Sequence, residues 1–129
     1  MKNSSNIDQI TLLNIQEFAS FCYLITTAIA IYLTHYRKQT VQNKSTMITP
    51  EEARRLNIFN HFAILILTSI FLYVNFITLQ SARENQEDTT LLSLQSFASI
   101  LTTIGAIIVL YVVIQDPIDN PSSNENPEI

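Results

Sequence analysis

The sequence predicts an all-α integral membrane protein in which three transmembrane helices pack as an up-down-up bundle. Three uncharged apolar runs, near residues 18–36, 56–79 and 91–114, are each long enough to cross a hydrocarbon layer about 30 Å thick. The chain of 129 residues is 47% hydrophobic and only 14% charged, whereas soluble domains carry about 25% charged residues. Three spans leave few residues over, so residues 1–129 are predicted to form a single membrane domain.

The first helix is predicted over residues 8–36. Small and hydroxylated side chains recur on one side of it, within an arc of about 100°. These residues are Gln16, Ala19, Ser20, Tyr23, Thr27, Ala30 and Thr34. Since small residues let helix backbones approach closely in lipid, this arc is the predicted packing face. An alternative is a cleaved secretory signal, but Asp8 and Glu17 and the apolar run up to Arg37 disfavour it.

The second helix is predicted over residues 50–81, with Thr49 as cap, Pro50 in the first turn and Glu52 completing a capping box. Its uncharged stretch, Leu56 to Leu79, carries a polar stripe within an arc of about 100°. The stripe consists of Asn57, Asn60, His61, Thr68, Asn75 and Thr78. Because lipid cannot satisfy amides or an imidazole, the stripe is predicted to face protein or enclosed water.

The third helix is predicted over residues 89–115, capped by Asp88 or Thr89 and stopped by Pro117. Its predicted packing face consists of Gln95, Ala98, Ser99, Thr102, Ala106 and Val113. The acidic tail 116–129 has too little apolar surface to fold and is predicted to be disordered. Residues 16–20 and 95–99 match at four of five positions, which leaves both coincidence and duplication open.

Basic residues predict the orientation. Five of the seven lie between the first two spans, so this loop and the C-terminus are predicted to be cytoplasmic and the N-terminus outside. Among them, Arg37, Lys38, Arg54 and Arg55 are predicted to contact lipid headgroups. The predicted location is the cell membrane, specifically a bacterial plasma membrane.

Few residues suggest a catalytic, metal-binding or cofactor-binding role. His35 and His61 invite a haem or metal site, but their helical phases point them apart, so no cofactor or metal is predicted. Glu17 is expected near the outer interface, and the lone Cys22 has no partner for a disulfide. Without a nucleophile or phosphate-binding motif an enzyme is not expected, and the acidic balance disfavours nucleic-acid binding.

The predicted function is therefore that of a non-catalytic accessory or regulatory subunit, which binds another membrane protein or a second copy of itself. The predicted packing or partner-binding residues are Asn57, Asn60, His61, Thr68, Asn75, Gln16, Ser20, Gln95, Ser99 and Thr102. The alternative is an oligomeric channel, a transporter component or a holin-like pore former. A membrane immunity or stress protein fits the same residues.

Overall fold

Three α-helices make up the part of the chain that this computed structural model describes, residues 2–115, with side chains described from residue 9. They are α1 (Lys2–Val41), α2 (Pro50–Glu84) and α3 (Thr90–Gln115). All three are long and apolar enough to cross a membrane, which confirms the predicted all-helical fold class. The predicted disordered tail, 116–129, lies outside the described residues.

α1 is longer than its predicted range of 8–36 because nothing in residues 37–41 breaks a helix. It ends where Asn43 adopts a left-handed conformation with φ 60°. The amide of Lys44 then donates a hydrogen bond of 2.9 Å to the carbonyl of Gln39, which satisfies one of the last helical carbonyls.

α2 begins as its capping residues predict. The amide of Glu52 donates to Thr49 Oγ1 at 3.1 Å, and the amide of Thr49 donates to Glu52 Oε1 at 2.9 Å, so the capping box is confirmed. Pro50 occupies the first turn. One turn later Arg55 pairs with Glu51 at 3.0 Å in solvent, a contact that contributes only a few tenths of a kcal/mol.

The turn into α3 uses both predicted caps. The Asp88 carboxylate accepts hydrogen bonds from the Thr90 amide at 3.1 Å and the Thr90 hydroxyl at 2.9 Å. Both bonds favour the ionised carboxylate and lower the pKa of Asp88 below its ordinary value. The carbonyl of Thr89 accepts the first helical bond, from Ser93.

The helices form an open arrangement. α2 packs against both α1 and α3, while α1 and α3 do not contact each other within the described residues. On α2, Asn60 bonds the Thr26 carbonyl of α1, and the Thr68 carbonyl accepts a bond from Thr103 of α3. Asn60 and Thr68 lie about a quarter turn apart around the helix axis. The predicted bundle is thus not closed, since α1 and α3 leave a groove between them. In lipid no hydrophobic force drives such a groove shut.

The face of α1 that packs on α2 differs from the predicted one. Ser20, Thr27, Ala30 and Thr34 are exposed, and of the predicted face only Ala19 is buried. From residue 9 onward, the buried residues of α1 are Ala19, Thr26, Leu33 and Tyr36. Leu33 and Tyr36 cluster with Ala53 of α2, and Ile29, Ile48 and Leu56 pack around them. The packing of Leu33 and Tyr36 against the small Ala53 thus sets the rotation of α1 about its axis. The pattern of small residues on α1 alone does not predict this rotation.

α3 is the most exposed helix. Its most apolar window has no buried residue, and Ser96 is the only buried residue of the whole helix. Large apolar side chains such as Phe97, Ile108 and Tyr111 are exposed. A helix of this kind suits an acyl-chain environment, because its apolar side chains need no protein partner there.

Candidate helix-docking groove

Asn75 of α2 is the centre of the α2–α3 interface. Its Nδ2 donates a hydrogen bond to Ser99 Oγ, and its Oδ1 accepts one from Gln95 Nε2 at 3.1 Å. Ser96 Oγ also donates to the Asn75 carbonyl, at 3.4 Å. The structure therefore brings three predicted site residues together, and both ends of the Asn75 amide are satisfied.

Threonines extend this interface toward the middle of the helices. Thr103 Oγ1 donates to the carbonyl of Thr68 at 3.4 Å and to that of Ser99 at 2.8 Å. Thr68 is buried, as its place in the stripe suggests, whereas Thr102 is exposed and bonds only the carbonyl of Ala98. Sequence reasoning missed Ser96 and Thr103, although the spacing 96, 99, 103 places them on one helical face.

Asn60 is the corresponding amide in the α1–α2 interface. Its side chain is completely buried, and Nδ2 donates to the Thr26 carbonyl at 3.2 Å. Its Oδ1 is buried without a hydrogen-bond partner among the described residues. Thr26 was not predicted to pack here, although it lies seven residues from both Ala19 and Leu33, the spacing of one helix face.

The two histidines are not brought into one site. His61 Nδ1 donates to the carbonyl of Asn57 at 3.1 Å, so the imidazole bonds within its own helix. His35 is exposed on α1. Among the described residues no group of three His, Cys, Asp or Glu side chains has the geometry to hold a metal ion.

The four predicted headgroup residues have different environments. Arg54 is half-buried, and its Nη2 donates to the carbonyl of Ile114 at 2.9 Å. A guanidinium at the C-terminal end of α3 complements the negative end of that helix dipole. Arg37, Lys38 and Arg55 are exposed. The structure thus gives Arg54 a contact between helices, which the spacing of basic residues did not reveal.

The groove between α1 and α3, here called the interhelical groove, is bordered by the part of the predicted α1 face within residues 16–23 and by the part of the predicted α3 face within residues 95–102. On one side the Tyr23 ring packs at 6.0 Å from the Phe71 ring, and on the other Gln95 bonds Asn75. Because Phe71 and Asn75 are four residues apart, they lie on the same face of α2. Tyr23, Phe71, Asn75 and Gln95 therefore border the groove. By helical spacing, Gln16 and Ser20 lie on the Tyr23 side of α1, and Thr102 lies on the Gln95 side of α3. Ser20, Gln95 and Thr102 are exposed at its edges.

The two similar segments, 16–20 and 95–99, are used differently. Ala19 is buried against α2 while its counterpart Ala98 is exposed. Conversely, Ser99 bonds Asn75 while its counterpart Ser20 is exposed. Equivalent positions thus face different surroundings.

Neither a protein-family model, nor a curated protein, nor a solved structure matches the chain. The interhelical groove has a helix on each of two sides and polar residues at its edges.

Proposed function

We propose that this is a multi-pass protein of the cell membrane that acts as a non-catalytic accessory or regulatory subunit. It binds a transmembrane helix of another membrane protein in the interhelical groove. The N-terminus lies outside and the loop between α1 and α2 in the cytoplasm, because that loop holds five of the seven basic residues.

The observation that carries this proposal is the open groove with polar edges. The Ser20 hydroxyl has no side-chain partner within residues 9–115, and Gln95 is exposed although it bonds Asn75. Hydrogen-bonding groups at a lipid-facing edge gain from a protein partner, at roughly 0.6–2 kcal/mol for each bond between helices. A fourth helix would supply these partners and complete the packing that α1 and α3 leave open.

The position of the polar edge also supports a helix as the ligand. Tyr23 contacts Phe71 and Gln95 bonds Asn75, toward the end of α2 at Glu84. By helical spacing, Gln16 and Ser20 lie on the Tyr23 side of α1. Small side chains such as Ser20 allow a neighbouring backbone to approach closely. The groove therefore offers both close approach and hydrogen-bonding partners.

Site-specific photo-crosslinking in native membranes tests the proposal. A benzophenone amino acid at Ser20 or Thr102 should give a crosslink to one defined membrane protein. The same probe at Phe62 or Tyr73, exposed residues on the opposite side of α2, serves as the matched control and should label mainly lipid. Equal labelling from all four positions would contradict a specific docking groove.

The same experiment distinguishes the accessory role from the alternative, an oligomeric channel or pore former. Crosslinks from Ser20 and Thr102 to a second copy of the chain, together with ion flux through liposomes that contain only this protein, would replace the accessory role. Crosslinks to a larger membrane protein, together with no ion flux, would support the accessory role.

Orientation has its own test. Cysteines placed at Ser45 and Gln86, both exposed in loops, should differ in labelling by an impermeant maleimide on intact cells. We expect Gln86→Cys to be labelled and Ser45→Cys to be protected in a Cys22→Ala background. The reverse pattern would invert the topology without affecting the groove.

A further inference from the structure

A second groove lies on α1 itself, along the part of the helix that leads to the α1–α2 loop. It has a volume of about 390 Å³ and is lined by Thr27, Ala30, Ile31, Thr34, His35 and Lys38. All six residues are exposed, and none belongs to the buried α1–α2 contact. We call it the α1 groove.

The wall of the α1 groove is apolar over most of its length. Ala30 leaves space between longer neighbours, and Ile31 forms one side. The Thr27 hydroxyl donates to the carbonyl of Tyr23 at 2.9 Å, so it needs no partner from outside the helix. This surface suits a hydrocarbon chain better than a polar ligand.

The end of the α1 groove nearest the α1–α2 loop is polar and basic. His35 and Lys38 are three residues apart, so their side chains lie on the same side of the helix. Leu33 and Tyr36 cluster with Ala53 and Leu56, which places His35 and Lys38 at the level of the first turns of α2. The arginines of those turns mark the cytoplasmic headgroup level in the proposed orientation.

The length of the α1 groove matches one leaflet. From Thr27 to Lys38 the helix rises about 16 Å, close to half of a hydrocarbon layer about 30 Å thick. A transmembrane helix of a partner would instead need contacts through both leaflets.

We propose that the α1 groove binds an anionic phospholipid of the cytoplasmic leaflet. One acyl chain lies along Thr27, Ala30 and Thr34, and the phosphate accepts hydrogen bonds from Lys38 and His35. The site rests on the proposed membrane insertion and orientation, but not on a protein partner in the interhelical groove.

Native mass spectrometry of the full chain in detergent tests this site. We use phosphatidylglycerol and phosphatidylcholine with identical acyl chains, and expect the anionic lipid to bind about five-fold more tightly, the equivalent of ~1 kcal/mol for one lysine. Equal affinities would overturn the proposal.

Two matched pairs of variants locate the binding. Lys38→Gln should abolish the preference for phosphatidylglycerol, whereas Lys44→Gln, which removes the same charge from the exposed loop, should keep it. Ala30→Leu should fill the groove and reduce adducts of both lipids. Ala28→Leu, at an exposed position on another side of α1, should not. Equal effects within either pair would indicate general charge or surface effects and reject the site.

Free phosphate is the other source of the same chemistry. Inorganic phosphate at the lipid concentration should not displace phosphatidylglycerol, because the acyl chain contributes to binding; displacement would reject the lipid.

Extraction of membranes with alkaline carbonate measures insertion separately. Release of the chain into the soluble fraction would remove the proposed function and the lipid site together, whereas a retained chain without lipid preference would reject the lipid site alone.

Discussion

Asn60 and Asn75 lie at equal distances from the middle of the uncharged stretch of α2, but their side-chain amides are hydrogen-bonded differently. Each lies about 11 Å along the helix from the middle of the uncharged stretch Leu56 to Leu79. Asn75 has both ends of its amide bonded, to Ser99 and Gln95 of α3. Asn60 makes one bond, to the Thr26 carbonyl of α1, and its buried Oδ1 has no partner in the described part of the chain.

The comparison shows that the two interfaces of α2 are held by different interactions. Against α1, the contact centres on the apolar cluster of Leu33, Tyr36 and Ala53, and the amide is incompletely bonded. Against α3, side-chain amides and hydroxyls link the helices, and few side chains are buried. Since apolar burial drives helix association weakly in lipid, we expect the α2–α3 interface to depend more on a single residue.

The largest effect is expected for Asn75→Leu. It removes two side-chain bonds between helices and leaves Gln95 without its acceptor, which should cost about 2 kcal/mol of unfolding free energy. Equilibrium unfolding in mixed detergent micelles measures this change. Ser69→Leu, a polar-to-leucine change at an exposed position of the same helix, is the control and should be close to neutral.

Asn60→Leu should cost less, under about 1 kcal/mol. The variant loses one hydrogen bond but also removes a buried oxygen that has no partner, and the second effect offsets the first. The same unfolding measurement applies. A cost equal to that of Asn75→Leu would show that the two interfaces depend equally on their asparagines.

Arg54→Met tests the end of the α2–α3 interface. Loss of the bond to the Ile114 carbonyl should destabilise the protein by about 0.5 kcal/mol and speed hydrogen exchange in the last turn of α3. Arg55→Met, which breaks only the exposed pair with Glu51, should leave α3 unchanged. Faster exchange in both variants would mean that general charge, not the specific contact, protects α3.

The smallest effect concerns the loop that joins these two helices. Because the folded-state pKa of Asp88 lies below its ordinary value of 3.8, ionised Asp88 stabilises the first turn of α3 at higher pH. This contribution is lost as the pH falls below 3.8 and through the folded-state pKa. Carboxyl NMR titration should report the lowered pKa, and the protection factor of the Thr90 amide, its exchange rate relative to an unstructured peptide at the same pH, should fall on acidification.

Asp88→Asn should remove that pH dependence, while Glu87→Gln, one residue earlier in the same exposed loop, should retain it. A Thr90 protection factor that still falls on acidification in Asp88→Asn would assign the effect to another carboxylate.

Local signals predicted the helices well. The start of α2 follows from Thr49, Pro50 and Glu52, whose contacts involve neighbours within one turn.

The site was predicted in part. Asn75, Gln95 and Ser99 meet because polar side chains within long apolar helices need hydrogen-bonding partners. Thr26 was missed because its carbonyl, not its side chain, receives the bond from Asn60, and every residue has a carbonyl.

By itself, the sequence determined that three apolar helices form and where α2 and α3 are capped. These features depend on side-chain transfer energies and on bonds between residues a few positions apart. Only the tertiary structure decided that α1 turns Leu33 and Tyr36 rather than Thr27 and Thr34 toward α2, and that α1 and α3 stay apart. Helix rotation depends on how side chains of two helices fit together, and a single helix does not contain that information.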